Sequence, residues 1–385
     1  MRHIFISLKW VLLSFIFIPI SLYLIIILIN LNDEAPSKQS IENLAKIEAN
    51  NLRLTNNLIE NGYFFTLGFD VEKSASPKEI GLARFQQLQD ISIMESTKKF
   101  SSERFEIPKL SIQQCINKND FTEQCSGVLI QDSELTLQLK EFGWLIDRYQ
   151  QLINQKDWQD GTYFNVFIDQ IPASSLLTAQ KLYLLNIYVK TSEMDSNQIA
   201  KAINQDMIFW QKISSNTHFL LTKVISNAGI DTNMRLGEII ISPLITANST
   251  NQIPKTWLKT LPPKVLSLDK VKLGEWYFFM GMTEATKVDD DKANIASHFF
   301  EWLLLPLFQH QDTANLYAEA LIHNSTQQHC PDKFTFDLIS DYSYNPVGKF
   351  ILCSSSPSFN MYQKALDDLE NKRVKLLSNL NLSTL

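Results

Sequence analysis

The hydrophobic pattern along the chain falls into two regimes. From Trp10 to Asn30 it reads WVLLSFIFIPISLYLIIILIN, 21 residues without a charge. Beyond that run, apolar positions recur at helical spacing among polar ones. As a helix rising about 1.5 Å per residue, the first run extends roughly 31 Å, the thickness of a bilayer core. Fifteen of its residues are Leu, Ile, Phe or Val, enough to outweigh Ser14, Ser21 and Pro19. Pro19 is expected to kink such a helix without abolishing it. The pattern predicts a transmembrane signal-anchor over residues 10–31, preceded by a cytoplasmic N-terminus, residues 1–9. A cleaved signal peptide is the competing reading, but Leu31, Asn32, Asp33, Glu34, Ala35 and Pro36 offer no small-x-small cleavage site.

After a polar hinge, Ile41, Leu44, Ala45, Leu52 and Leu58 predict an amphipathic helix rising from the membrane. Ser76-Pro77 opens another, with proline in the first turn, where its missing N–H costs little. Leu135, Leu139, Phe142, Leu145, Ile146, Tyr149, Leu152 and Ile153 keep one helical period from about Ser133 to Gln155. Four short helices are predicted next: Ala173 to Lys190, Ser196 to Ser214, Thr217 to Ala228 and Thr232 to Ile245. Asp195 and Gln198 form a capping box for the second, and Gly229 is positioned to end the third. Short joints make consecutive helices antiparallel, as in a bundle or a helical-hairpin array; no 34-residue tetratricopeptide signature recurs.

Pro254, Pro262 and Pro263 mark a linker between a helical domain at 32–250 and a second helical subdomain at 264–385. In the latter, Trp276–Met282, Ala293–Phe308, Thr313–His323 and Pro357 to about Leu380 read as helical. Phe334–Leu338 and Lys349–Cys353 have strand-like composition around a turn at Asn345-Pro346, which predicts a small β-hairpin. The expected fold class is mainly α, with one transmembrane helix, a multi-helix bundle or hairpin array, and that small hairpin near the C-terminus. Only 11 glycines occur, which also favours helices over tight hairpins and phosphate loops.

Charge sets the topology. Arg2, His3 and Lys9 precede the apolar run while Asp33 and Glu34 follow it, so the positive-inside rule puts residues 33–385 outside the cytoplasm. All four cysteines lie there, as two local couples, Cys115 with Cys125 and Cys330 with Cys353. An even count in an oxidising compartment reads as disulfides. Three pairings are open; the local one is preferred over four buried thiols, and over zinc, which lacks a C-x2-C spacing. A net charge of −6 with scattered Lys and Arg gives no nucleic-acid footprint.

Chemistry is sparse. No G-x-S-x-G, H-E-x-x-H, P-loop or G-x-G-x-x-G motif is present, so no catalytic residue is assigned and no cofactor or metal site is expected. His218, His298, His310, His323 and His329 lack metal-type spacing apart from the last two, and His329 beside Cys330 reads as coincidence. Asp289, Asp290 and Asp291 lack the EF-hand order and read as a solvated helix start. Trp144, Trp158, Trp210, Trp257, Trp276 and Trp302 are candidates for a glycan or peptide groove, with core packing favoured for most.

Asn61-Gly62-Tyr63-Phe64 with Leu67-Gly68-Phe69, and Tyr344-Asn345-Pro346-Val347-Gly348-Lys349, resemble stretches of uncharacterised single-span inner-membrane proteins of Gram-negative bacteria. The likeness covers about a tenth of the chain. It implies an inner-membrane anchor and a periplasmic body, and no activity. The resulting expectation is a single-pass bacterial inner-membrane protein, bound to lipid through residues 10–31, that acts as an interaction or scaffold protein for an envelope partner. The alternative is an envelope hydrolase whose site is assembled in space from residues such as Tyr63, Asp70 and Glu72.

Overall fold

In the computed structural model, the described residues are 2–58, 60–90, 104–110, 133–162, 171–245, 252–285, 295–323, 330, 340–355 and 359–382. They are mainly helical. In chain order the helices are α1 (Arg2–Ile29), α2 (Lys38–Asn56), α3 (Gly62–Leu67), α4 (Pro77–Asp90), α5 (Ser133–Glu141), α6 (Gly143–Ile153), α7 (Ala173–Val189) and α8 (Ser196–Asn216). They continue as α9 (Leu220–Ile241), α10 (Pro263–Leu266), α11 (Asp269–Ala285), α12 (Ile295–Leu304), α13 (His310–His323), α14 (Pro346–Ser355) and α15 (Phe359–Asn379). Among the described residues there is no strand, only isolated bridges at Asn61–Asp157 and Val71–Arg104.

The chain forms two compact units, each discontinuous in sequence. One comprises residues 1–46 and 279–358, the other residues 47–278 and 359–385. In the first, α1 presents Tyr23, Ile26, Ile27 and Asn30 as its less exposed stripe, the i, i+3, i+4, i+7 spacing of one helix face. Apart from Ser21, the rest of the described surface of α1 is apolar and exposed, with Phe15 74% and Leu28 65% accessible. Among the described residues, no helix is long and apolar enough to cross a membrane.

The second unit holds the larger core. The capping box at Asp195 and Gln198 starts α8 as expected. Leu135, Leu139, Leu145, Ile146, Tyr149, Leu152 and Ile153 are all buried, but their helix is interrupted between Glu141 and Gly143. Two other expectations need correction. The helices predicted on either side of Gly229 are one continuous α9, in which Gly229 is interior. A Cβ there would overlap the Trp210 ring, so glycine makes room for a tryptophan and does not end the helix. The predicted hairpin is also overturned on its second arm, since Lys349–Cys353 lies inside α14; the first arm, 334–338, lies outside the described residues. Proline sets the reason: Pro346 is the first helical residue, where its fixed φ suits a helix.

Tight approach explains the first of the two short motifs. α3 and α4 pack so closely that a Cβ at Gly68 would overlap the carbonyl of Pro77, and one at Gly81 that of Phe64. Asn61 caps α3 by accepting from the Tyr63 N–H at 3.0 Å. Tyr63, Phe64, Phe65, Leu67 and Phe69 are then buried, with Tyr63 edge-on to Phe64, Phe85 and Trp158.

Candidate functional site

A dense long-range polar assembly lies where α1 ends. Asn30, 4% exposed, is the first residue beyond that helix. Its Nδ2 donates to the carbonyls of Ile26 and Ser343, both at 2.8 Å. Its Oδ1 accepts the backbone N–H of Asn345 at 2.7 Å, and its carbonyl accepts Gln309 Nε2 at 2.6 Å. The side chain thus adds a second donor to a carbonyl of the preceding helix and holds the 343–345 segment, while the Asn30 carbonyl holds Gln309.

Asn345 is the second centre. It adopts φ 51°, a left-handed conformation that asparagine tolerates better than most residues. Fully buried, its side chain is satisfied on both atoms. Oδ1 accepts the N–H groups of Gln309 and Gly348 at 3.0 and 3.1 Å, and Nδ2 donates to Asp312 Oδ2 and Thr313 Oγ1 at 2.7 and 2.8 Å. Because Gly348 is the third residue of α14, Asn345 is its N-cap. A Cβ at Gly348 would overlap both Thr313 Oγ1 and the Asn345 amide. The Tyr344–Lys349 motif is therefore a packing and capping device.

The segment after α1 continues the seam. Asp33 accepts the N–H groups of Gln311 and Asp312 at 2.8 and 3.0 Å, placing a carboxylate on the positive end of α13. Asn315 Oδ1 accepts from Ser37 N–H and Ser40 Oγ–H at 2.8 and 2.9 Å, and its Nδ2 donates to the Ala35 carbonyl at 3.0 Å. Tyr344 donates to the Asn32 carbonyl at 3.2 Å. Burial, then the charges of Asp312, Asp33 and Glu34, push its phenol up to about 12, so it remains a donor at neutral pH. The expected polar hinge is thus bonded along most of its length.

Buried polar groups of the second unit are structural in geometry. Asp206, inaccessible to solvent, accepts from Tyr149 Oη–H on one oxygen and from Gln180 Nε2 and Asn233 Nδ2, both at 2.8 Å, on the other. Burial raises its carboxyl to about 6 against these hydrogen bonds, and raises the Tyr149 phenol strongly. Asp160 accepts Thr217 Oγ1–H at 2.7 Å and the His218 N–H at 2.9 Å, and its other oxygen pairs with His218 Nδ1 at 2.7 Å. This pins the joint between α8 and α9. Lys223, 1% exposed, donates to the carbonyls of Ser214 and Val265 at 2.8 and 2.7 Å, and burial lowers its ammonium to about 7.

Of the residues expected to carry chemistry, Asp70 is buried between Arg84 at 2.5 Å and Arg104 at 3.2 Å, Tyr63 belongs to the aromatic core, and Glu72 is exposed. The three do not converge on a cleft. Trp158, Trp210, Trp257 and Trp276 are core residues, whereas Trp302 is 68% exposed. Cys330 and Cys353 form a disulfide. Cys115, Cys125, His329, Asp289, Asp290 and Asp291 lie outside the described residues. Among the described residues, no three His, Cys, Asp or Glu side chains group as metal ligands. A shallow apolar recess against α7 and α9 is lined by Leu184, Leu185, Tyr188, Leu236, Ile239 and Ile240, without a convergent polar group. No family model, no curated protein and no solved structure matches the chain.

Proposed function

We propose that the chain is a bacterial inner-membrane protein anchored by residues 10–31, whose periplasmic body serves as an interaction or scaffold element for another envelope protein. The observation that carries this reading is the seam around Asn30 and Asn345. Targeting alone needs only a hydrophobic segment and a slack linker. Here residues 30–40 are bonded at Asn30, Asn32, Asp33, Ala35, Ser37 and Ser40 to α13 and to the turn before α14. The anchor helix and the first unit therefore behave as one mechanical piece, and a body fixed on its anchor presents a defined face to a neighbour in the same membrane.

The Cys330–Cys353 disulfide supports an oxidising compartment, and the sequence rule for flanking charge gives the same side. The test is co-purification from gently solubilised envelopes, comparing the full chain with Asn345→Ala. A reproducible partner retained by the full chain and lost by the variant is the expected result. Absence of any reproducible partner in mild detergent and after in-cell crosslinking would remove the scaffold reading.

A further inference from the structure

We propose that α12, with the Leu305–Leu307 turn behind it, is a second lipid-contacting element that lies in the outer interface of the bilayer beside α1. The proposal rests on the reading of α1 as a bilayer span, and adds to it a contact that the span alone does not require.

Position comes first. The Tyr23 hydroxyl donates to the Leu303 carbonyl at 2.8 Å, satisfying one of the orphan acceptors at the C-terminal end of α12. Tyr23 precedes Asn30 by seven residues, or about 10 Å along a helix. With Asn30 at the outer boundary of the hydrocarbon, Leu303 lies about 10 Å below it, at the deep end of the roughly 5–10 Å reached by in-plane amphipathic helices.

Surface composition agrees. Phe299 is 56% and Trp302 68% exposed, one turn apart with ring centroids 6.2 Å from each other, and Leu304 and Leu305 follow at 45% and 43%. Four large apolar side chains left open on a ten-residue helix and its turn are costly in water. They are favourable against lipid, and tryptophan prefers the interface. The Tyr23–Leu303 bond sets the end of this helix beside α1, whose described side chains are largely apolar and exposed. His298 and Glu301, 3.9 Å apart and about two-fifths exposed, give the helix a polar edge. Ten residues span about 15 Å, too short to cross, so the helix lies in the plane and does not traverse it.

The test reconstitutes the full chain and Trp302→Phe into phosphatidylethanolamine–phosphatidylglycerol vesicles, with and without bromine on the upper acyl carbons. Flotation at alkaline pH is measured on the same samples. The difference between the two proteins isolates the Trp302 emission. Both proteins are expected to float, and bromolipid is expected to remove roughly half of the Trp302 emission, as befits a ring at the interface. Floating protein whose Trp302 emission is insensitive to bromolipid would overturn the proposal and leave the anchor standing, and crosslinking through α12 would then identify a second copy or a protein partner as the occupant. Protein that fails to float would overturn the anchor reading, and this proposal with it.

Discussion

Asn345 donates its backbone N–H to Oδ1 of Asn30 at 2.7 Å, across 315 positions of sequence, and both side chains are buried. This bond joins the residue that follows α1 to the cap of α14. Replacing Asn345 by alanine removes four side-chain hydrogen bonds and places a Cβ-only residue in a left-handed conformation. With unsatisfied buried groups costing about 1–3 kcal/mol each and the backbone roughly another 1, the variant is expected to lose several kcal/mol in thermal unfolding in detergent. Asn345→Asp is expected to recover partly on acidification. It sets a second carboxyl within 2.7 Å of Asp312, which raises the pair's pKa, so stability is present at low pH and lost as pH rises through that value.

Asp206 makes the stability of the second unit pH-dependent in a defined direction. Its ordinary value is 3.8 and its folded value about 6, so between them the folded chain keeps a proton that the unfolded chain has released. The contribution is fully present below 3.8 and is lost as pH rises through about 6. Asp206→Asn should abolish this slope whatever its effect on absolute stability. Urea midpoints of the two proteins across that window should diverge, and parallel curves would show that Asp206 is ionised throughout.

Gly229→Ala tests the reassignment of that glycine from helix stop to packing contact. At a helix end, where the terminating residue is left-handed, the change would cost about 1 kcal/mol and leave tryptophan emission unaltered. Inside α9, the new methyl group meets the Trp210 ring, and overpacking of about 1–3 kcal/mol is expected as a lowered melting temperature with tryptophan emission altered in the folded state.

Cys353→Ser opens a cross-link separated by 23 positions. The chain-entropy relation puts the loss near 3 kcal/mol, and the same destabilisation should follow addition of reductant to the parent protein but not to the variant.

Local physics made much of the fold legible. The period of α5 and α6, the capping box of α8 and the proline start of α4 each depend on residues a few positions apart, so spacing suffices. Failures occurred where a distant residue decided the outcome. Gly229 has the composition of a helix stop, and only Trp210, on the neighbouring helix, turns it into a packing residue. Phe350, Ile351, Leu352 and Cys353 have strand-like side chains, but Pro346 behind the capping Asn345 starts a helix through them. The site was the least legible part. Asn30 read as the end of the uncharged run and Asp33 as an acidic residue following it, and nothing near them in sequence announces Gln309, Gln311, Asp312 or Asn345. The Tyr344–Lys349 motif was visible as a motif, while its task of capping α14 required φ and the partner atoms.

The most direct test is protease digestion of intact spheroplasts carrying the full chain with an N-terminal cytoplasmic epitope. The body is expected to be degraded from outside while a short, epitope-bearing fragment containing residues 10–31 stays in the alkaline-washed membrane. A full-length chain protected until the membrane is breached, or an epitope released into the soluble fraction, would contradict it.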